Sequence, residues 1–146
     1  MTATGADAWS RRTFVLALLA SVGCGSPLWS VARATAAEEA DPAFETIMSD
    51  QLAQMLSRKD VVLVNVHIPY EGEIAPTDAF IPFDQIGEYL GVLPADRTAS
   101  IVLYCKSGRM SEIAANALVD FGYTGVSHLE GGMIEWENAG YAVIHN

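Results

Sequence analysis

The chain has 146 residues, room for one domain and little more. With 8 Lys and Arg against 18 Asp and Glu it carries a formal charge of −10, which argues against a nucleic-acid partner or an anionic membrane surface. Apolar residues make up 51% and charged residues 18%, enough to bury a core and too apolar for global disorder. Two cysteines, Cys24 and Cys105, and three histidines do not suggest a disulfide scaffold or a zinc site, and no cofactor or metal is implied.

Residues 1–36 read as an export signal. Arg11-Arg12-Thr13-Phe14-Val15-Leu16 precedes an uncharged run from Thr13 to Ala32. Small residues at Ala34 and Ala36 suit signal-peptidase cleavage. The paired arginines, with Phe14 following, resemble the twin-arginine signal that exports folded proteins. The expected location is therefore periplasmic or otherwise extracytoplasmic. The alternatives are an uncleaved membrane anchor, weakened by Gly23, Gly25 and Pro27, and lipidation at Cys24. Cleavage would leave 5 basic and 17 acidic residues in positions 37–146, a net −12, with Cys105 as the one thiol.

A lead-in over 37–43 is expected to be flexible. The domain then runs over 44–146. Ser49 is expected to cap a helix over 50–57, with Leu52, Met55 and Leu56 on one face. Val61 to Val66 is a β-branched run suited to a strand buried on both faces. An irregular segment with Pro69, Gly72 and Pro76 follows, then a brief strand over 80–82. Asp84 is expected to cap a helix reaching Gly91, with a turn at 94–96. Ile101 to Tyr104 forms a second buried strand. Ile113, Ala114, Ala117, Leu118 and Phe121 recur at helical spacing, with Gly122 at the helix end. Val126 to Leu129 is a third strand and Gly131-Gly132 a tight turn. A helix over 133–139 stops at Gly140, and 141–144 is extended. Alternating strands and helices predict an α/β architecture with a mostly parallel sheet.

The chemistry concentrates at the end of the second buried strand. Cys105 sits where open parallel sheets bind ligands, beyond a strand's carboxyl end. The loop behind it, Lys106-Ser107-Gly108-Arg109-Met110-Ser111, leads into a helix N-terminus. Successive backbone amides and the helix dipole favour negative charge there, so they favour a thiolate or a persulfide. Lys106 and Arg109 add positive charge. A buried, inert cysteine is the competing reading. Met133 and Trp136 are read as core, and Glu130 as an acceptor for the nearby loop. Leu90, Val92 and Leu93 are read as an ordinary core edge.

These residues resemble the rhodanese family of sulfurtransferases. The likeness rests on Cys105 to Ser111, on Asn116-Ala117-Leu118 through Tyr123, and on Val126. It continues through Leu129-Glu130-Gly131-Gly132-Met133-Ile134-Glu135-Trp136 and Ala139-Gly140-Tyr141. It covers roughly Phe44 to Ile144. Glu71 and Ile81-Pro82 also hold their expected positions. The family's usual Asp-Val-Arg is Asn65-Val66-His67 here, and its Gly-His-Ile-Pro-Gly-Ala stretch is replaced over Glu73 to Ala79.

The resemblance implies a three-layer fold with a five-stranded, mostly parallel sheet flanked by helices. It implies Cys105 as the catalytic nucleophile, with Lys106, Ser107, Gly108, Arg109, Met110 and Ser111 binding the substrate. The expected reaction is thiosulfate sulfurtransferase chemistry, with sulfane sulfur passing through a Cys105 persulfide. Thiosulfate or a similar donor supplies the sulfur, and cyanide, a thiol or a protein acceptor takes it. The alternative is an exported persulfide carrier that binds sulfur without turnover. A phosphatase is disfavoured because that loop places Arg six residues after the cysteine, and here Ser111 holds that position. A Cys-His hydrolase would need His67, His128 or His145 as its base; His67 reads instead as a structural substitute for the family's Arg.

Overall fold

In the computed structural model the described residues are 43–145. The export signal at 1–36, Cys24, nearly all of the lead-in and Asn146 lie outside them. The elements are β1 (Glu45–Ile47), α1 (Ser49–Arg58), β2 (Val62–Asn65), β3 (Ala79–Phe80), a 3-10 segment (Ile86–Val92), β4 (Ile101–Tyr104), α2 (Arg109–Asp120), β5 (Val126–Leu129) and α3 (Gly132–Asn138).

The five strands form one parallel sheet in the order β1-β5-β4-β2-β3. Side chains alternate across it, as the pleat requires. Ile101, Leu103 and Cys105 face one way, packing with Val64, Val66 and with Ala114, Ala115 and Leu118 of α2. Val102 and Tyr104 face the other, with Leu63, Leu52 of α1, and Met133 and Trp136 of α3. The result is the expected three-layer α/β architecture. Met133 and Trp136 are core, as their spacing suggests.

The topology places the site. From β2 the chain moves outward to β3, and from β4 it moves the other way to β5. The crevice between the carboxyl ends of β2 and β4 is therefore a switch point, where open α/β sheets hold ligands. Cys105 lies at the β4 side of it.

Several local expectations shift. The strand at Glu45–Ile47 pairs with β5, register Thr46 to His128; three residues carry too little alternation to announce it. Ser49 is the first residue of α1 rather than its cap, and the Met48 amide donates to the Gln51 side chain at 2.8 Å. The helix expected after Asp84 is the 3-10 segment, which follows Gln85 and is broken by non-helical torsions at Tyr89. Gly87 and Gly91 leave those seven residues poor helix formers. The brief strand is Ala79–Phe80, two residues long. At 141–144 the extension reduces to one antiparallel bridge between Ile144 and Glu73. Gly131-Gly132 is not a free-standing turn: Gly132 opens α3.

Candidate active site

Cys105 follows the last residue of the central strand and is 1% exposed. Behind it the chain turns tightly into α2. Gly108, with φ of 91°, is the residue that makes this turn. A side chain there would be strained, and its Cβ would stand 3.1 Å from the Gly131 nitrogen. The turn brings the Gly108 amide back to the sulfur, which accepts its hydrogen bond at 3.1 Å. The first residues of α2 follow at once, so the sulfur faces the positive end of the helix dipole.

Ser111 completes the inner wall. Its buried hydroxyl lies 3.9 Å from the sulfur and donates to the Gly108 carbonyl at 2.8 Å. Together these groups make a small anion-stabilising cradle.

The loop is pinned from outside by α3. The Met133 amide donates to the Cys105 carbonyl at 2.9 Å, and the Ile134 amide to the Lys106 carbonyl at 3.1 Å. Such an approach leaves no room for a side chain at the helix start. A Cβ on Gly132 would stand 2.2 Å from the Cys105 carbonyl oxygen. The Gly-Gly pair, legible only as a turn in the sequence, is the seat of the loop.

The loop residues divide by role. Cys105, Gly108 and Ser111 converge. Ser107 and Arg109 are exposed. Met110 is half-buried and packs against the α2-side core. Lys106 differs from expectation. Its ammonium lies 2.5 Å from the Glu71 carboxylate, which offsets the charge it was expected to lend the cradle. The same contact holds the Glu71 carboxyl below its ordinary range, with His67 a smaller contributor.

The neighbouring strand end is where the family's Asp-Val-Arg is replaced. Asn65 is buried and uses both ends of its amide. It donates to the Gly72 carbonyl at 2.9 Å and accepts from the His67 amide at 3.0 Å. A carboxylate could make only the second of these bonds. His67 turns its Nε2 toward Glu71 at 3.6 Å, within ion-pair range but beyond a hydrogen bond. It therefore faces Glu71.

The imidazole linked to the loop is His128 of β5, whose Nδ1 lies 3.5 Å from the Ser111 hydroxyl. Burial pushes its pKa below the ordinary value, while Glu130 and Glu112 pull the other way. Glu130 directs its carboxylate toward this ring at 3.9 Å rather than toward the loop. The signal for His128 was its place in β5, two residues after Val126. That spacing puts it on the same sheet face as Cys105.

Comparison with known proteins agrees with this geometry. The family model described as Rhodanese-like domain matches residues 48–139. A probable adenylyltransferase/sulfurtransferase MoeZ of Mycobacterium tuberculosis is 40% identical over 96 residues, covering 62% of this chain and 24% of that protein. A tRNA uridine(34) hydroxylase of Yersinia enterocolitica is 31% identical over 98 residues, covering 62% and 27%. The chain thus spans about a quarter of the length of each of these two curated relatives. Among solved structures, a rhodanese-related protein from Thermoplasma volcanium superposes with a TM-score of 0.60 at 26% identity, covering 69% of this chain and 98% of that one. A NAD-dependent persulfide reductase from A. fulgidus gives 0.53 at 33% identity, covering 64% and 16%.

Proposed function

Because the chain belongs to the rhodanese-like domain family, we propose that it is a sulfurtransferase acting through a Cys105 persulfide. The single observation that carries this reading is the sulfur's position. It accepts the Gly108 amide at the start of α2, with the Ser111 hydroxyl beside it. Those donors stabilise negative charge on the Cys105 sulfur and lie at the start of the helix that a persulfide would also face.

In the first step the Cys105 thiolate attacks the outer sulfur of thiosulfate. The new S–S bond forms as the old one breaks, and sulfite leaves with the bonding pair. The persulfide keeps one negative charge, now on its terminal sulfur. In the second step cyanide attacks that terminal sulfur; thiocyanate departs and the thiolate returns. A thiol acceptor follows the same course and ends as a persulfide itself. Arg109 attracts the anionic donor against a chain of net negative charge.

A carrier function is the second reading, and the near-complete burial of Cys105 favours it. A carrier takes up one sulfur and waits for a specific partner. Thiocyanate release from thiosulfate and cyanide separates the two. Multiple turnovers that vanish in Cys105→Ser support the enzyme. One equivalent of bound sulfur without turnover supports the carrier, and no sulfur uptake defeats both. The twin-arginine segment at 1–36 adds the proposal that this chemistry occurs outside the cytoplasm. Fractionation of cells producing the full chain checks it, and a wholly cytoplasmic product of unchanged mass contradicts it.

A further inference from the structure

His128 is 5% exposed, and its ring stands between two hydroxyls. Nδ1 lies 3.5 Å from Ser111 Oγ, and Nε2 lies 3.1 Å from Thr46 Oγ1. The Phe44 ring packs edge-on against it, with centroids 5.4 Å apart. Burial lowers the imidazole's pKa from its ordinary value, against the opposing pull of Glu130 and Glu112, and so favours the neutral ring. The Glu130 carboxylate, 3.9 Å from Nε2, is beyond hydrogen-bond distance, so the ring's partners are the two hydroxyls, and one tautomer leaves the Ser111 proton free for another acceptor. With the proton on Nδ1, that nitrogen donates to Ser111 Oγ, and Nε2 accepts from the Thr46 hydroxyl.

Ser111 then has one proton and two acceptors within reach, the Gly108 carbonyl at 2.8 Å and the Cys105 sulfur at 3.9 Å. The Gly108 carbonyl also accepts the Glu112 amide at 3.0 Å. It therefore stays hydrogen-bonded when the hydroxyl turns away. The hydroxyl is free to follow the charge on sulfur without leaving a buried carbonyl orphaned.

We propose that His128 is a positioning residue for sulfur transfer: its Nδ1–H anchors the Ser111 oxygen while the hydroxyl proton swings between the Gly108 carbonyl and the charged sulfur of Cys105. The proposal rests on Cys105 as the sulfur carrier. It assigns His128 no contact with substrate and no proton transfer. It makes Ser111 a donor that strengthens when sulfur becomes negative.

The test uses two amide replacements. The Asn side chain offers an N–H near the place of Nδ1, and the Gln side chain offers one near Nε2. Rates of Cys105 alkylation by iodoacetamide are measured at neutral pH for wild type, His128→Asn, His128→Gln, Ser111→Ala and the Ser111→Ala/His128→Gln double variant. Thiosulfate loading is followed by intact mass in parallel. A hydrogen bond to a charged sulfur is worth about a tenfold rate change. His128→Asn should stay near the wild-type rate. His128→Gln and Ser111→Ala should each fall about tenfold, and the double variant should be no slower than Ser111→Ala. Equal rates for the Asn and Gln variants, or effects that multiply in the double, overturn the proposal. Should His128→Gln fail to fold, Ser111→Ala still decides, because a wild-type rate there removes the role. Alkylation needs no sulfur donor. A wild type that loads no sulfur would therefore end the sulfurtransferase reading, while the alkylation rates still judge His128.

Discussion

Two stretches meet at the carboxyl edge of the sheet, and they are held by different means. The 105–111 loop is fixed by backbone groups: the Gly108 amide on sulfur, and the α3 amides on the Cys105 and Lys106 carbonyls. The segment after β2, residues 66–78, has backbone anchors of its own at Val66, Glu73 and Asp78, and it is tied in addition by buried side chains. Asn65 bonds Gly72 and His67. The buried Tyr104 hydroxyl accepts from the Ile74 amide at 3.0 Å and pairs with Thr77 at 2.6 Å. Asp78 accepts from the Leu63 amide at 2.8 Å. A loop held by its own backbone tolerates many side chains but few non-glycine substitutions at its close approaches. The 66–78 segment shares that sensitivity at Gly72, where a Cβ would stand 2.9 Å from the Ile144 carbonyl oxygen, and adds a dependence on the side chains that tie it.

That contrast can be broken most forcefully at Gly132. Gly132→Ala inserts a Cβ onto the Cys105 carbonyl and should cost about 3 kcal/mol or more in chemical denaturation. Sulfur loading should fall with it. Retention of both would mean that α3 does not seat the loop.

Asn65→Asp comes next. The carboxylate cannot donate to Gly72, so a buried carbonyl loses its partner, at about 2 kcal/mol. Per folded molecule, Cys105 should keep most of its reactivity. A large loss of reactivity without loss of stability would put Asn65 in the chemistry instead.

Tyr104→Phe removes the hydroxyl from the Ile74 and Thr77 contacts and should cost about 1–2 kcal/mol, again in stability more than in sulfur transfer. Reactivity falling by more than stability accounts for would show that the two stretches are not separable.

The smallest effect is on pH. His128 has a folded-state pKa below its unfolded value of about 6.5 because burial opposes its charge. Below that pH the unfolded chain binds a proton that the folded chain does not. Stability should therefore decline as pH falls below about 6.5, and level off once the folded ring also titrates. His128→Asn should flatten that part of the profile. An unchanged slope would assign the acid sensitivity to other groups.

The same contrast explains what the sequence disclosed. Cys105, Gly108 and the following helix stand in a contiguous run whose geometry follows from local rules, so the loop, its strand and α2 were readable. The sheet faces followed from β-branched runs at β2 and β4. The Gly132 contact was not readable, because it joins residues that sequence spacing does not relate. Nor was the Ser111–His128 contact, which depends on β5 lying beside β4. Lys106 read as a cation for the cradle, since nothing local reveals that Glu71 folds back onto it. Asn65 stood out only as a departure, and its two hydrogen bonds became visible once Gly72 was placed.

The most direct test of the Cys105 cradle is the intact mass of the purified protein after thiosulfate treatment, beside Cys105→Ser. One added sulfur atom, lost on adding cyanide and absent from the variant, is the predicted result. An unchanged mass in the wild type, or an added sulfur that persists in Cys105→Ser, would contradict the account.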